Sequence, residues 1–505
     1  MINLYLLLLL CLPIISLGAS TIQFTVALKQ QNIDILKDTL LNISNPESES
    51  YGHYINDPNW IRKLVSPKVE YIQQVITWLE DNNLIILNNY GDGIIVQGDI
   101  IDVERSFNVT FSKYTYGSRT IIKSDIDYTI PKNLSHIIDF VEGISSQFYN
   151  KSKVNFRNNV PEVDNNYSGR EVINRLYNAT NIEDSNLAGS IGSIEYQGGS
   201  GFDQNDLLAA ERMNNLLNNS VHHVVGIDTS PDTESQLDIQ MMGINDPKIT
   251  LWFWDGNDWL YSLALKMVNS DTVPDIISMS WGWSEVEQCA IATCTNETSK
   301  QYIDRVNTEY IKLGVRGITI TTASGDAGAP GRTNEMCDNN SNTVHAIFPG
   351  SSPWITSVGA TFVVKSNNTI DWKTKLCKQY GCASGTKEYI TNYNSTGWTS
   401  GGGFSNFTNR NTAAKWQTKV VNQYLKSAMS FPINFNKNGR AYPDVSVVGH
   451  YCPVITSGLL SPVDGTSCSS PIFASLIAKL NSHQLKNKKP KLGFINPVLY
   501  KMYSD

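Results

Sequence analysis

The apolar positions of the chain follow two patterns. Up to about residue 150, short alternating runs are mixed with helical spacing. Phe24-Thr25-Val26-Ala27-Leu28 alternates and predicts a strand, whereas Asn32 to Leu41 and Val69 to Leu79 carry apolar residues three and four apart and predict amphipathic helices. Leu84–Leu87 and Gly93–Gln97 read as strands and Val103 to Phe107 as another helix. Strands interleaved with a few helices predict a small α+β unit over residues 20–150. From about 168, buried strands alternate with helices instead. Gly189–Glu195, Val221–Asp228, Ile249–Trp254, Asp275–Trp281 and Gly317–Ser324 are apolar or β-branched, with helical stretches at Asp206–Leu217, Glu234–Met242 and Gln301–Leu313 between them. That alternation predicts a parallel sheet covered on both faces, with its ligand site beyond the carboxyl ends of the strands. The Asn-rich residues 151–167 read as an exposed linker open to cleavage.

Composition narrows the setting. The net charge is −7 and no basic run occurs, which argues against a nucleic-acid partner. Residues 1–19 form an apolar core ending in small residues, too short for a membrane span and suited to a signal peptide; no later stretch is long and apolar enough to cross a bilayer. Asn-X-Ser/Thr acceptors recur at 12 positions from Asn42 to Asn406, so a glycoprotein of the secretory pathway is expected, secreted or delivered to an endosome or lysosome. Beyond the leader, Cys289/Cys294 and Cys377/Cys382 are close enough to close local loops. Cys337, Cys452 and Cys468 bring the total to an odd number and leave at least one thiol without an intrachain partner.

The stretch with the most chemical content is Gly465-Thr466-Ser467-Cys468-Ser469-Ser470-Pro471, running into an Ala/Leu/Ile helical pattern. It reads as a loop-to-helix junction with Pro471 in the first turn. A serine there is either a cap or a nucleophile set on helix N–H donors. Upstream, Glu234 and Asp238 are four apart and share a helix face, where two carboxylates without a cation repel. Ser324-Gly325-Asp326 places a further carboxylate at the end of another strand.

Taken together, these residues resemble the sedolisin, or serine-carboxyl peptidase, family, in its group similar to tripeptidyl-peptidase I. The matching motifs are Glu234-x-x-x-Asp238, Ser324-Gly325-Asp326, Ser400-Gly401-Gly402-Gly403-Phe404-Ser405, Tyr442-Pro443-Asp444, Gly465-Thr466-Ser467-x-x-x-Pro471 and Leu492-Gly493-Phe494-Ile495-Asn496-Pro497. Ala27-Leu28-Lys29 and Ser50-Tyr51-Gly52-His53-Tyr54 resemble the family's activation prodomain. The resemblance implies an α/β fold, a subtilisin-like parallel sheet with helices on both faces, over residues 168–505, preceded by an α+β, ferredoxin-like prodomain. It implies Ser467 as nucleophile, Glu234 as its general base, Asp238 as the group holding Glu234, and Asp326 in the oxyanion hole. The prodomain would act as an intramolecular inhibitor of a self-processing proenzyme. Substrates would be peptides or proteins, with tripeptides released from N-termini; an endopeptidase, or a non-catalytic glycoprotein of the same fold, uses the same letters.

The chemistry of that assignment favours acid. A carboxylate with a pKa of ~4 is a balanced acid and base only at low pH, where histidine is fully protonated. Asp326 donates to an oxyanion only when protonated. The seven histidines include none in a His-Gly-Thr context. Ser278, Trp281 and Gly282 are expected to line the substrate cleft, offering backbone to an extended peptide, and Gly401, Gly402 and Gly403 to line it as well. Two departures from the family stand out. Asp464 replaces the usual small residue before Gly465. Calcium is expected from the resemblance, but the segment that binds it in the family, an Asp-Ile/Val pair followed by Gly-Trp-Asp-Pro, lies beyond Asp505, where this sequence stops, so no metal ligands are expected here.

Overall fold

The computed structural model describes residues 21–116, 119–124, 126–144, 163–180, 182, 190–196, 200–217, 219–226, 230–256, 259–292, 298–332, 344–427 and 435–504. The leader and most of the expected linker, 151–162, lie outside them, so neither reading is tested. In the N-terminal unit, Ile85–Asn89, Gly93–Asp99, Thr21–Leu28 and Ile138–Glu142 form a 4-stranded sheet in that order, with every pairing antiparallel. That is the ferredoxin-like order. Helices Ile33–Ser44, Pro58–Val65 and Val69–Asp81 make the first crossing and Ile100–Phe107 the second. The Pro58–Val65 helix, not foreseen from the sequence, starts where the Asp57 carboxylate accepts from the Asn59 N–H (2.9 Å) and Pro58 occupies the first turn.

The larger unit is built on an 8-stranded sheet in the order Glu388–Ile390, Thr356–Val363, Thr319–Ala323, Ile276–Met279, Ser190–Tyr196, Thr250–Gly256, Val221–Val225, with Val445–Val448 also pairing Thr356–Val363. All pairings are parallel except that of Glu388–Ile390. Helices Thr233–Asn245 and Thr466–Lys486 share one core, in which Leu237, Ile239 and Met241 pack with Leu251, Phe253, Ile472 and Ile477. Helices Leu260–Asn269 and Ser299–Val315 form a second core, with Leu263, Val306 and Leu313 packed with Ile194 and Ile320. Val163–Tyr167, read above as part of the linker, and Ser168 after them are bound into this unit. Val163 bridges Val364, the Ser384 N–H donates to Asp164 (2.7 Å), and the Ser168 N–H donates to the Tyr451 carbonyl (2.9 Å).

The N-terminal unit docks on the second core, to which it contributes Leu36, Leu40, Ile61 and Phe140. A buried charge cluster lies at the seam. Asp92 meets Arg305 (3.3 Å) and Lys312, and Glu309 meets the same two cations at 3.2 and 2.7 Å. Arg305 also donates to the Asp92 carbonyl (2.8 Å) and the Leu28 carbonyl, and Glu142 accepts from the Ser262 N–H and the Tyr302 hydroxyl, each at 2.7 Å. Burial pushes the Asp92 pKa up, but Lys312 and Arg305 overcome it and hold the group below the ordinary value. Breaking a buried pair leaves an uncompensated charge and costs about 3–5 kcal/mol. Asp92→Ala is therefore expected to lower the urea midpoint of the full chain and expose the N-terminal unit to limited proteolysis. Asp139→Ala removes a partly exposed partner of Arg305 and should cost under about 1 kcal/mol. Equal losses in the two variants would show that the buried cluster does not hold the seam.

Candidate active site

Helix Thr233–Asn245 begins at Asp232, whose carboxylate accepts from the Glu234 and Ser235 N–H groups at 3.0 and 3.1 Å. Ser235 through Asn245 are all buried, so the helix has no solvent face and whatever it carries is held in dry surroundings. One turn after Glu234, Asp238 is fully buried. Its Oδ1 accepts from the Ser280 hydroxyl (2.8 Å), and its Oδ2 lies 2.9 Å from Ser280 Oγ and 3.2 Å from Ser193 Oγ. Ser193 Oγ is also 3.2 Å from Oε1 of Glu195, another buried carboxyl, whose Oε2 accepts from the Trp281 indole N–H (2.7 Å). A hydroxyl has one proton. Ser193 bonds both carboxyls only if one of them is itself protonated.

The electrostatics agree. Burial pushes Asp238 well above the ordinary carboxyl value, the Glu234 charge adds to this, and the Ser280 and Ser193 bonds oppose it. Glu195 is pushed well up by burial and then by Asp238, Asp232 and Glu234. Glu234 is pushed up to about 7, by burial first and then by Asp326 and Asp232, against the neighbouring Ser467 hydroxyl and the charge of Arg332. Although the surrounding protein desolvates it, Glu234 is only half-buried. Its Oε1 is sealed from water and makes no hydrogen bond among the described residues, while the rest of the side chain borders the cleft with Ser467.

Ser467 is the second residue of helix Thr466–Lys486, and Gly465 stands at the N-cap with no side-chain bond. The serine is therefore not the cap. The helix starts earlier than the sequence suggests, which corrects the placement of Pro471 in its first turn. Pro471 lies inside the helix, where its missing N–H leaves the Ser467 carbonyl without its usual partner four residues on. Asp326 follows strand Thr319–Ala323, and its Oδ1 accepts from both the N–H and the hydroxyl of Thr466, each at 2.7 Å. The Thr466 hydroxyl in turn accepts from the Gly325 N–H (3.1 Å). A Cβ on Gly465 would sit 3.2 Å from Asp326 Oδ2, so the small residue keeps that oxygen clear. Burial pushes the Asp326 pKa up, Thr466 and Arg332 pull it down, and Asp464 raises it. Because Asp326 is exposed on its cleft side, water weakens the upward push.

The four residues expected to act together are thus brought to one place, but the expected cleft residues are not all there. Ser278 is a correction. It lies inside strand Ile276–Met279, paired on both sides, with its buried hydroxyl 2.9 Å from that of Ser470, so it offers neither side chain nor backbone to a peptide. Trp281 and Gly282 lie past the strand end and are half-buried. Gly401 is buried against the Asp326 loop. Its N–H donates to the Gly325 carbonyl (2.5 Å), and a Cβ would come within 2.3 Å of the Ser324 carbonyl oxygen. Gly402 and Gly403 are half-buried, and Gly403 pairs with Tyr442. Asp464 accepts from the Tyr451 N–H (2.8 Å) and contacts His450 (3.0 Å), while His222 accepts from the Leu251 N–H and His223 stacks on Trp252. These histidines are engaged away from Ser467. Cys377 and Cys382 form a disulfide, Cys452 and Cys468 are buried free thiols, and Cys289 is disulfide-bonded, with Cys294 and Cys337 outside the described residues. Among the described residues no group of three or more His, Cys, Asp or Glu side chains could hold a metal ion. No helix among them is long and apolar enough to cross a membrane.

A serine against a carboxyl pair, at the carboxyl edge of a parallel sheet with helices on both faces, defines a serine-carboxyl peptidase site on a subtilisin-like fold. Known proteins agree. Residues 18–147 match the family described as the Pro-kumamolisin activation domain. Physarolisin of Physarum polycephalum is 36% identical over 498 residues, covering 96% of this chain and 85% of physarolisin. Tripeptidyl-peptidase 1 of Homo sapiens is 27% identical over 515 residues, covering 95% of this chain and 83% of the relative. The solved Pseudomonas sedolisin, a serine-carboxyl proteinase complexed with pseudo-iodotyrostatin, shares the fold with a TM-score of 0.50 and 22% identity over 68% of this chain and 86% of its own. The chain belongs to the sedolisin family of serine-carboxyl peptidases and carries that family's N-terminal activation domain.

The raised carboxyls make stability depend on pH with a definite sign. In the unfolded chain they lose their protons near pH ~4, whereas in the folded chain they keep them to higher pH, up to about 7 for Glu234. Their contribution is therefore full below ~4 and lost as pH rises through the folded values. The thermal midpoint of the full chain is expected to fall over that window, and to fall less in Asp238→Asn, which has one such proton fewer. An equal fall in both would mean that Asp238 holds no extra proton in the fold.

Proposed function

We propose that the protein is an acid-active peptidase, made as a self-processing proenzyme, that releases tripeptides from the N-termini of peptides and proteins. The observation that carries this reading is the placement of the Glu234 carboxyl beside the Ser467 hydroxyl, with Asp326 tied through Oδ1 to the adjoining Thr466. In the proposed reaction Ser467 Oγ attacks the scissile carbonyl while Glu234 takes its proton. Glu234 then returns that proton to the leaving amine as the C–N bond breaks and an acyl-enzyme forms. Water attacks the ester, with Glu234 again accepting a proton, and Ser467 is regenerated. Asp238, held by Ser280 and Ser193 one turn along the helix, opposes ionisation of Glu234 and titrates with it as a coupled pair. The oxyanion is met by the Ser467 N–H and by Asp326 Oδ2, which must be protonated because Oδ1 is already occupied by Thr466. The likeness to tripeptidyl-peptidase 1 favours tripeptide release over internal cleavage, and the apolar leader over 1–19 supports a route through the secretory pathway to an endosome, a lysosome or the outside.

A rate that needs ionised Glu234 and protonated Asp326 peaks midway between their two pKa values. With Glu234 at about 7 and Asp326 raised from a lower starting value, that peak falls on the acid side of neutrality. Acid-treated full chain is expected to turn over peptides and shorten itself, and Ser467→Ala to do neither. Asp326→Ala should lose about 10²–10³ in kcat, as for removal of one oxyanion donor. A peak at or above pH 7, or an active Ser467→Ala, would refute the assignment. Product masses from peptides with free and blocked amino termini decide between tripeptide release and internal cuts.

A further inference from the structure

The loop that delivers Asp326 does not end its work there. It runs on to Arg332, whose guanidinium Nη1 donates to the Gly282 carbonyl (3.3 Å) and whose Cζ lies 4.7 Å from the centre of the Trp283 ring. Gly282 and Trp283 belong to the opposite wall of the site, immediately after the Trp281 that bonds Glu195. Beneath this contact both walls rest on one side chain. A Cβ on Gly282 would stand 2.7 Å from Ile347, one on Gly331 3.3 Å and one on Gly325 3.7 Å. Both walls therefore close over Ile347, and Arg332 spans them above it. We propose that Arg332 is a positioning residue for the peptidase reaction: it clasps the Asp326 loop to the Gly282–Trp283 wall and holds a fixed positive charge beside Glu234 and Asp326.

The charges around it set the direction of the effect. Glu234 faces Asp232 and Asp238 from its own helix, Glu195 from strand Ser190–Tyr196, and Asp326; Asp326 also faces Asp464 from the turn before Thr466. All of these are carboxyls that push the pair up. Arg332 is the cation that opposes them at both groups. An arginine cannot lose its proton at any working pH, so the opposition is constant. The guanidinium plane also stacks on an indole and donates along a fixed direction, which an ammonium cannot do as well.

The inference rests on the peptidase reading, and the experiment separates the two. The pH dependence of kcat/KM is measured on acid-treated full chain with a peptide bearing only uncharged side chains, for wild type, Arg332→Gln and Arg332→Lys. Both limbs of the Arg332→Gln profile are expected to move to higher pH, so its activity relative to wild type rises with pH. Arg332→Lys should keep the wild-type limbs with a lowered maximum, because it retains the charge and loses the fork. A Gln profile that superimposes on wild type after scaling, or a Lys profile that moves with it, overturns the inference while leaving the peptidase intact. An inactive wild type would instead defeat the peptidase reading. Should Arg332→Gln fail to fold, unmoved limbs in Arg332→Lys support the charge role and moved limbs overturn it.

Discussion

Glu234, Asp238 and Glu195 form one cluster of poorly solvated carboxyls beside Ser467. Each sits where charge is poorly solvated, and each raises another's cost of ionisation. The set therefore titrates as a unit and stores protons that free carboxyls would have released. Glu234 borders the cleft, and the Ser467 hydroxyl and the Arg332 charge both favour its ionised form. Asp238 and Glu195 lie deeper and are held well above the ordinary carboxyl value by burial and neighbouring charge. This arrangement points the available base at the serine hydroxyl without a histidine taking part.

The fold places this network where a parallel sheet brings strand ends together. Glu195 lies near the end of strand Ser190–Tyr196, Ser280 just past Ile276–Met279, and Asp326 just past Thr319–Ala323. These three strands are neighbours in the sheet, although Glu195 and Asp326 are far apart in sequence. Helices Thr233–Asn245 and Thr466–Lys486 pack against each other on one face and bring the carboxyl pair to the serine. Gly401, wedged under Ser324 and Gly325, fixes the height of the Asp326 loop, and Thr466 ties that loop to the first turn of the serine's helix. The bond between Asp326 and Thr466 is thus a mechanical link as well as an electrostatic one. It consumes one carboxylate oxygen and leaves the other for chemistry.

Much of this was legible in the sequence, for reasons that also explain the failures. Glu234 and Asp238 could be read because four-residue spacing puts them on one face of a helix, and Ser467 and Asp326 because short motifs with turn glycines surround them. Glu195 could not be singled out. A lone glutamate at the end of an apolar strand resembles any strand terminus, and its partners Ser193, Trp281 and Asp238 are assembled only by the register of three parallel strands and a helix. Arg332 had no local signal either, since its partner Gly282 is 50 residues away in sequence. Ser278 was misplaced because the apolar run continues to Trp281 while strand pairing stops at Met279, so position along the strand separates core from cleft. The Pro58–Val65 helix went unread although its cap and proline were visible, because the run is too short for periodicity to register.

The charge cluster at the docking seam behaves in the opposite way to the one around Ser467. Asp92 lies between two cations and is held below the ordinary aspartate value, so its contribution is present above the unfolded pKa and disappears only as pH falls through the lowered one. The carboxyls around Ser467 contribute most in acid and lose their contribution as pH rises toward neutrality. The two requirements overlap over a moderately acid range, where those carboxyls retain their protons and Asp92 is still charged against Arg305 and Lys312. In that range the N-terminal unit keeps its hold on helix Ser299–Val315 while the site is in its proton-rich state. The Asp92 cluster is consequently not the contact that gives way first on acidification. It anchors the N-terminal unit to the face of the sheet opposite the serine's helix.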